Sequence, residues 1–276
     1  MAQPLSGSRP VTGRGVCRMT RLLQLSDCHL PPVAGELFRG RDADQCLIRL
    51  VQWLQSEFAP FDHLLLTGDL VHHGGPDAYE RLLQIVAPLS LCVHWIPGNH
   101  DVTAAMQLAD HTGKLGHKVI HSGNWTLLLL DSTSEPDGRG SGSLSRSELD
   151  WLQRQLAQAP QRPTLLVLHH NPTPTGSVWQ DAIRLGNSTA LADLVDAAPH
   201  VRGVICGHLH QLQLLSFAGR PLWSAPSTVV QFRAGCEQFE LETDPSRATP
   251  GARWYRLHPD GQVDAHSLQL PHELTS

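Results

Sequence analysis

The 276-residue chain has no apolar run near the roughly 20 residues that a membrane span needs, no CxxC pair and no surplus of positive charge. Each absence removes a class of protein. Without such a run there is no spanning helix to offer a membrane, and no membrane partner is expected. The formal net charge of −5 argues against a protein that works on nucleic acid, which would carry a basic face. It also leaves the attraction of an anionic ligand to local groups, bound cations among them, rather than to the field of the whole molecule. The cysteines Cys17, Cys28, Cys46, Cys92, Cys206 and Cys236 are widely spaced. Most sit inside apolar runs, where a free thiol behaves as a small hydrophobe. A reduced, cytoplasmic protein follows. Residues 1–18 are rich in Gly, Pro and Ser and have no apolar stretch of the signal-peptide kind. They read as a disordered head, with Met19 an alternative start, ahead of a single domain over 19–276. No internal repeat or low-complexity boundary divides that span.

Histidine, by contrast, is plentiful, with 17 in the chain. Six short segments end an apolar run on a polar or metal-binding side chain: Leu22–His29, Leu64–Asp69, Val93–Asp101, Leu127–Ser132, Leu165–His170 and Val204–His210. Short runs that are apolar at nearly every position are the mark of strands covered on both faces. Between them lie stretches of helical period: Asp42–Phe58, Asp77–Val86, Leu144–Ala157 and Ser188–Ala197. The third begins Ser145-x-x-Glu148, a capping-box pattern. Such alternation implies crossover connections and a layered α/β domain. The last third reads as short strands over Leu212–Phe217, Pro221–Ser224, Thr228–Phe232 and Phe239–Leu241, then a loop over Glu242–Arg253. A hairpin of Trp254–Leu257 and Val263–Leu268 follows. Two sheets in one domain result.

Five of the six segments supply Asp27, His29, Asp69, Asn99, His169, His208 and His210. Two divalent ions of hard or borderline character want such a mixture of carboxylate, amide oxygen and imidazole. Asp27-x-His29 and His208-x-His210, if extended, each turn two side chains to one side. Gly68, ahead of Asp69, permits close backbone approach. Asp101 is suited to fixing its loop or orienting a histidine. A lone histidine at a strand end is usually structural. Here the pieces recur in the order DxH, GD, GNHD, H, GHxH, each at the end of a strand-like run.

That order, written here as DCH, GD, GNHD, HH and GHLH, resembles the calcineurin-like metallophosphoesterase superfamily over roughly residues 20–235. The stretches HHNPTPTGSVWQD and APSTVVQF make it similar to the bacterial class III 3′,5′-cyclic-AMP phosphodiesterases. The resemblance implies two mixed β-sheets packed as a sandwich and flanked by helices, a four-layer αββα fold. It implies two divalent ions, Fe(II) or Mn(II) ahead of Zn(II). Asp27, His29 and His210 would hold one, and Asn99, His169 and His208 the other, with Asp69 bridging. A water activated by both would attack the cyclic diester, and His100 would protonate the leaving 3′ oxygen to release 5′-AMP. The substrate would meet His29, Asp69, Asn99, His100 and His210. The protein would act as a monomer or homodimer. Cys28 inside DxH and the loop Gly138–Ser143 depart from the pattern without removing a ligand. A broader phosphodiesterase, acting for instance on 2′,3′-cyclic nucleotides, and a non-catalytic scaffold are the alternatives. The scaffold is disfavoured because His100 and all seven ligand candidates are present.

Other residues carry lesser expectations. His170 should point away from His169 by strand alternation, and Cys28 should turn into the core. Trp53, Trp151 and Trp223 fit apolar faces. Ser132 gives structural support. His72 and His73 are as suited to solvent as to a substrate wall. Trp179 or Arg184, in a long loop at a strand end, is a candidate base contact.

Overall fold

The computed structural model describes residues 19–90 and 92–275; the expected head over 1–18 lies outside them. In chain order the elements are β1 (Thr20–Leu25), β2 (Leu37–Phe38), β3 (Arg41–Asp42), α1 (Ala43–Glu57), β4 (His63–Thr67), α2 (Pro76–Val86), β5 (Val93–Ile96), α3 (Thr103–Ala109), β6 (Val119–Ser122) and β7 (Trp125–Leu129). They continue with α4 (Arg146–Gln158), β8 (Thr164–Leu168), α5 (Val178–Asp181), α6 (Ser188–Asp196), β9 (Val201–Cys206), β10 (Gln213–Phe217), β11 (Arg220–Ser224), β12 (Gly251–Leu257) and β13 (Val263–Gln269).

One sheet has the order β13-β12-β1-β4-β5, with β1, β4 and β5 parallel and the β12–β13 hairpin antiparallel beside them. The other has the order β10-β11-β9-β8-β7-β6, with four parallel strands at its centre and antiparallel edges at β10 and β6. Successive residues of each central strand point to opposite faces, so a strand buried on both sides must be apolar throughout. Leu22, Leu65 and Ile96 of the first sheet meet Leu127, Leu165 and Ile205 of the second between the sheets, with Trp125 beside them. Their strand neighbours face outward to helices. Leu23, Leu64 and Leu66 pack with Leu47, Leu50 and Leu82 of α1 and α2. Leu128, Leu166 and Val204 pack with Leu152, Leu156 and Leu191 of α4 and α6. This is the expected αββα order of layers. Among the described residues no helix is long and apolar enough to cross a membrane.

The helix boundaries follow their caps. Asp42 accepts the Gln45 N–H at 3.0 Å to start α1, and Ser145 accepts the Glu148 N–H at 3.0 Å to start α4. The capping box is only half made, because the Glu148 carboxylate turns instead to Lys118 and to the Asp131 N–H. Trp223 is buried, whereas Trp53 and Trp151 are only half-buried at the core margin.

Thr228–Phe232 and Phe239–Leu241, expected as strands, form none and meet through a single bridge between Phe232 and Leu241. Side chains take the place of a strand partner. Gln231 bonds the Ser227 N–H and the carbonyls of Ser227 and Thr249, and the Ser227 hydroxyl accepts from the Val229 N–H. Such local bonds offer the backbone an alternative to a ladder.

Trp125 is buried between the sheets, and its ring N–H donates to the His258 carbonyl at 2.8 Å. Trp125→Ala should cost about 3–5 kcal/mol in urea denaturation; a loss below about 1 kcal/mol would refute its place in the inter-sheet core.

Candidate metal centre

The parallel strands of both sheets end at one side of the sandwich, where ligands of α/β sheets gather. The segments after β1, β4 and β5 carry Asp27, His29, Asp69 and Asn99; those after β8 and β9 carry His169, His208 and His210. All seven side chains converge. The ligand atoms of Asp27, His29 and His210 lie within 4.8 Å of one another, as do those of Asp27, Asp69 and His169, and those of His169, His170 and His208. Asp69 Oδ2 stands between the two halves, 3.7 Å from His29 Nε2 and 3.4 Å from His169 Nε2. Asn99 Oδ1 lies 3.3 Å from His169 Nε2. All but Asn99 are buried.

Convergence is not achieved by extended strands, as the alternate spacing suggested. Asp27, His29, Asp69, His208 and His210 all have positive φ, at 54°, 45°, 51°, 69° and 48°. Each such non-glycine residue costs of order 1–3 kcal/mol, and strain of this kind collects at functional sites. The chain turns at each residue while the loops brace one another: Asp27 N–H donates to the Gly68 carbonyl at 3.0 Å, and His29 N–H to the Asp69 carbonyl at 2.9 Å. The intervening glycines are close-packed. A Cβ on Gly98 would lie 2.3 Å from both the Asp69 nitrogen and Oδ1, and one on Gly207 would lie 2.1 Å from Ser26 Oγ.

The imidazoles are held from behind, which fixes the nitrogen each presents. His169 Nδ1 donates to the Thr67 carbonyl at 2.8 Å and His210 Nδ1 to the Val230 carbonyl at 2.8 Å, so each turns its Nε2 inward. His208 is reversed, with Nε2 on the Ile183 carbonyl at 3.2 Å and Nδ1 inward. His29 Nε2 faces His210 Nε2 at 3.0 Å, a contact at which at most one of the pair carries a proton.

Burial keeps most of these rings neutral. It drives His29 well below its ordinary value, and His208 and His210 down to about 3. Burial pushes the Asp27 carboxyl up to about 7, with Asp69 adding to the rise. Burial also raises Asp69, but the neighbouring His169, by charge and hydrogen bond, and His29 hold it well below the carboxylate range. A dry cluster of carboxylates and imidazoles, most of the rings neutral, fits divalent cations. No thiolate is involved: Cys28 is buried, and burial raises its thiol to about 12.

Two expectations need correction. His170 does not point away. Its ring lies 4.8 Å from that of His208 and 4.9 Å from that of His169, anchored by the Ser132 hydroxyl at 2.8 Å from Nδ1. The turn after β8 breaks the alternation. Asp101 fixes the loop and does not orient His100. It accepts from the N–H groups of Leu70, Val71 and Gly98 and from the Tyr79 hydroxyl, while His100 Nδ1 pairs with His73 Nε2 at 3.0 Å.

The cluster floors a cavity of about 550 Å³. His72, His73 and Trp179 line it, together with Phe38, Arg39, Phe232 and Phe239, which the sequence reading did not single out. Arg184 turns instead to the Asp181 carbonyl.

The calcineurin-like phosphoesterase pattern matches residues 20–212. The chain belongs to that family. This phosphoesterase is 38% identical over 243 residues to the 3′,5′-cyclic adenosine monophosphate phosphodiesterase CpdA of Pseudomonas aeruginosa, covering 88% of this chain and 87% of the relative. It is 37% identical to CpdA of Escherichia coli K12, with coverage of 91% and 90%. A dimetal phosphatase from Danio rerio shares its fold, with a TM-score of 0.61, 15% identity and coverage of 91% and 99%. The family's divalent metal ions accord with the donor set described above.

Because Asp101 serves several buried donors, each worth about 1–3 kcal/mol when left unpaired, Asp101→Ala should lower stability by at least about 3 kcal/mol. Calorimetric unfolding of the metal-free protein is the check, and a loss under 1 kcal/mol would contradict the network.

Proposed function

We propose that this phosphoesterase hydrolyses 3′,5′-cyclic AMP to 5′-AMP with two divalent cations. The reaction class is carried by one observation: two carboxylates, four imidazoles and an amide oxygen converge, and five of these seven groups line one cavity. The substrate rests on the likeness to the CpdA cyclic-AMP phosphodiesterases along about nine-tenths of the chain. Asp27, His29 and His210 would hold one cation, and Asn99, His169 and His208 the other. Asp69, lying between His29 and His169, would serve both. Fe(II) or Mn(II) suits this donor set best, with Zn(II) next. Bound there, such ions supply a deprotonated water at neutral pH and offset charge on phosphate oxygens.

The chain's own groups complete the reaction. His29, Asp69, Asn99, His100 and His210 all line the cavity and would surround the phosphate. His100 Nδ1 is engaged by His73, and the His100 main-chain N–H by Asp69 Oδ1 at 2.8 Å. The ring is thereby oriented with Nε2 kept for the leaving 3′ oxygen, to which it gives a proton. The shared core and common site of the two sheets support residues 19–276 as one catalytic domain. The free thiols Cys28, Cys46, Cys92, Cys206 and Cys236 suit a cytoplasmic setting.

Turnover of cyclic AMP, cyclic GMP and 2′,3′-cyclic AMP should be compared after loading with Fe(II), Mn(II) or Zn(II). The 3′,5′ diesters should lead, and preference for the 2′,3′ isomer would overturn the substrate. Asp69→Ala should lose more than the roughly 10–100-fold that removal of an outer partner costs; activity within a few-fold of wild type would end the two-cation reading. His100→Ala should lose about 10²–10⁴-fold on cyclic AMP. On bis-p-nitrophenyl phosphate, whose leaving group needs no proton, the loss should be far smaller. Equal losses on both would refute the acid role.

A further inference from the structure

Above the cluster the cavity wall is aromatic, and two arginines, Arg39 and Arg139, stand in it. His29 stacks on Phe38 with ring centroids 4.2 Å apart, and His210 on Phe232 at 3.8 Å. Trp179 and Phe239 pack edge-on against Phe232, at 5.4 Å and 5.0 Å. The Arg39 guanidinium lies over three of these rings: 4.3 Å from the Phe239 centroid, 5.5 Å from Phe38 and 5.8 Å from Phe232.

The backbone beneath Arg39 is unusual. β2 and β3 pair Phe38 with Arg41, leaving the two-residue turn Arg39–Gly40, with φ values of 48° and 79°. A turn with two left-handed residues normally takes Asn-Gly. Arginine is a poor choice for the turn itself, which points to a task for its side chain. The other arginine of the cavity wall, Arg139, has its Nε 3.1 Å from an Asp137 carboxylate oxygen. Among the described residues, Arg39 has no carboxylate partner.

We propose that Arg39, backed by Phe239, is the platform on which the nucleobase stacks. This rests on the phosphodiesterase reading above and names the residue that would hold the far end of its substrate. Phe38 and Phe232 stack on His29 and His210, and the Arg39 guanidinium lies over both phenyl rings. A nucleotide anchored by its phosphate at the imidazoles would meet this wall with its base. A guanidinium with one face on a phenyl ring offers the other to a heteroaromatic ring. Every base has such a face, so the platform would accept adenine and guanine alike.

The test is titration calorimetry of the Mn(II)-loaded protein with 5′-AMP and with ribose 5-phosphate, which lacks the base. Wild type should bind 5′-AMP about ten-fold or more tightly than ribose 5-phosphate. Arg39→Ala and Arg39→Lys should both bring that ratio to within about two-fold, since lysine keeps the charge but not the plane. The KM for cyclic AMP should rise in parallel, with kcat within about two-fold. A ratio that survives Arg39→Lys would overturn the platform, as would equal weakening of both ligands by Arg39→Ala, the mark of a phosphate contact. If wild type left cyclic AMP intact yet lost its 5′-AMP preference in both variants, the platform would stand and the proposed substrate would fall.

Discussion

Asp27 and Asp69 are buried side by side, and the rest of the site is arranged around that juxtaposition. Two carboxylates out of water repel each other and lose their hydration. The protein answers in part with main-chain dipoles: the His208 N–H reaches both oxygens of Asp27 at 3.1 Å, and the His100 N–H reaches Asp69. It answers in part with His169, raised to about 9 by the two aspartates despite burial. Neither suffices for Asp27, whose carboxyl sits near 7. Divalent cations would add the positive charge that two such carboxylates call for, and His29, His169, His208 and His210 turn ring nitrogens toward the same space. The left-handed residues and the bare glycines Gly98 and Gly207 are what so close an approach requires of a backbone.

Outward from this floor the character changes by layers. Imidazoles give way to phenyl rings stacked on them, with an arginine over the phenyl rings and a tryptophan edge-on to one of them. On the proposed reading, chemistry at phosphorus would belong to the strand ends. Recognition of what is attached to phosphorus would belong to the hairpin at Arg39–Gly40, to α5 and to the loop through Phe232 and Phe239. The same floor can thus serve different esters as the outer wall changes.

Much of this was legible in the sequence because buried parallel strands are apolar at every position, so the polar residue that ends each run stands out. The strands and the polar residues at their ends follow from that contrast, the four longer helices from helical periodicity, and the αββα layering and the grouping of the seven side chains from the family resemblance. What could not be read depended on conformation or on partners remote in sequence. Left-handed residues at Asp27 and His210 leave no mark in a DxH or HxH spacing. His170 was assigned to the far side by an alternation that ends one residue earlier. The stretch Thr228–Phe232 has the composition of a strand but is held by Ser227 and Gln231. Arg39 and Phe239 lie 200 residues apart, in segments without periodicity.

The division of the cluster between the two sheets has a mechanical meaning. Asp27, His29, Asp69 and Asn99 come from one sheet, and His169, His208 and His210 from the other. With the ligands proposed above, neither sheet alone would carry a complete coordination sphere, and a slip of one against the other by a single residue would dismantle both. Ions held across this seam would act as rivets, adding their binding free energy to the adhesion of the sheets. At a thousand times the dissociation constant that increment is about 4 kcal/mol, comparable to a large part of a domain's whole stability. The catalytic floor is in this sense also a fastener, and its occupancy sets how firmly the sandwich is closed.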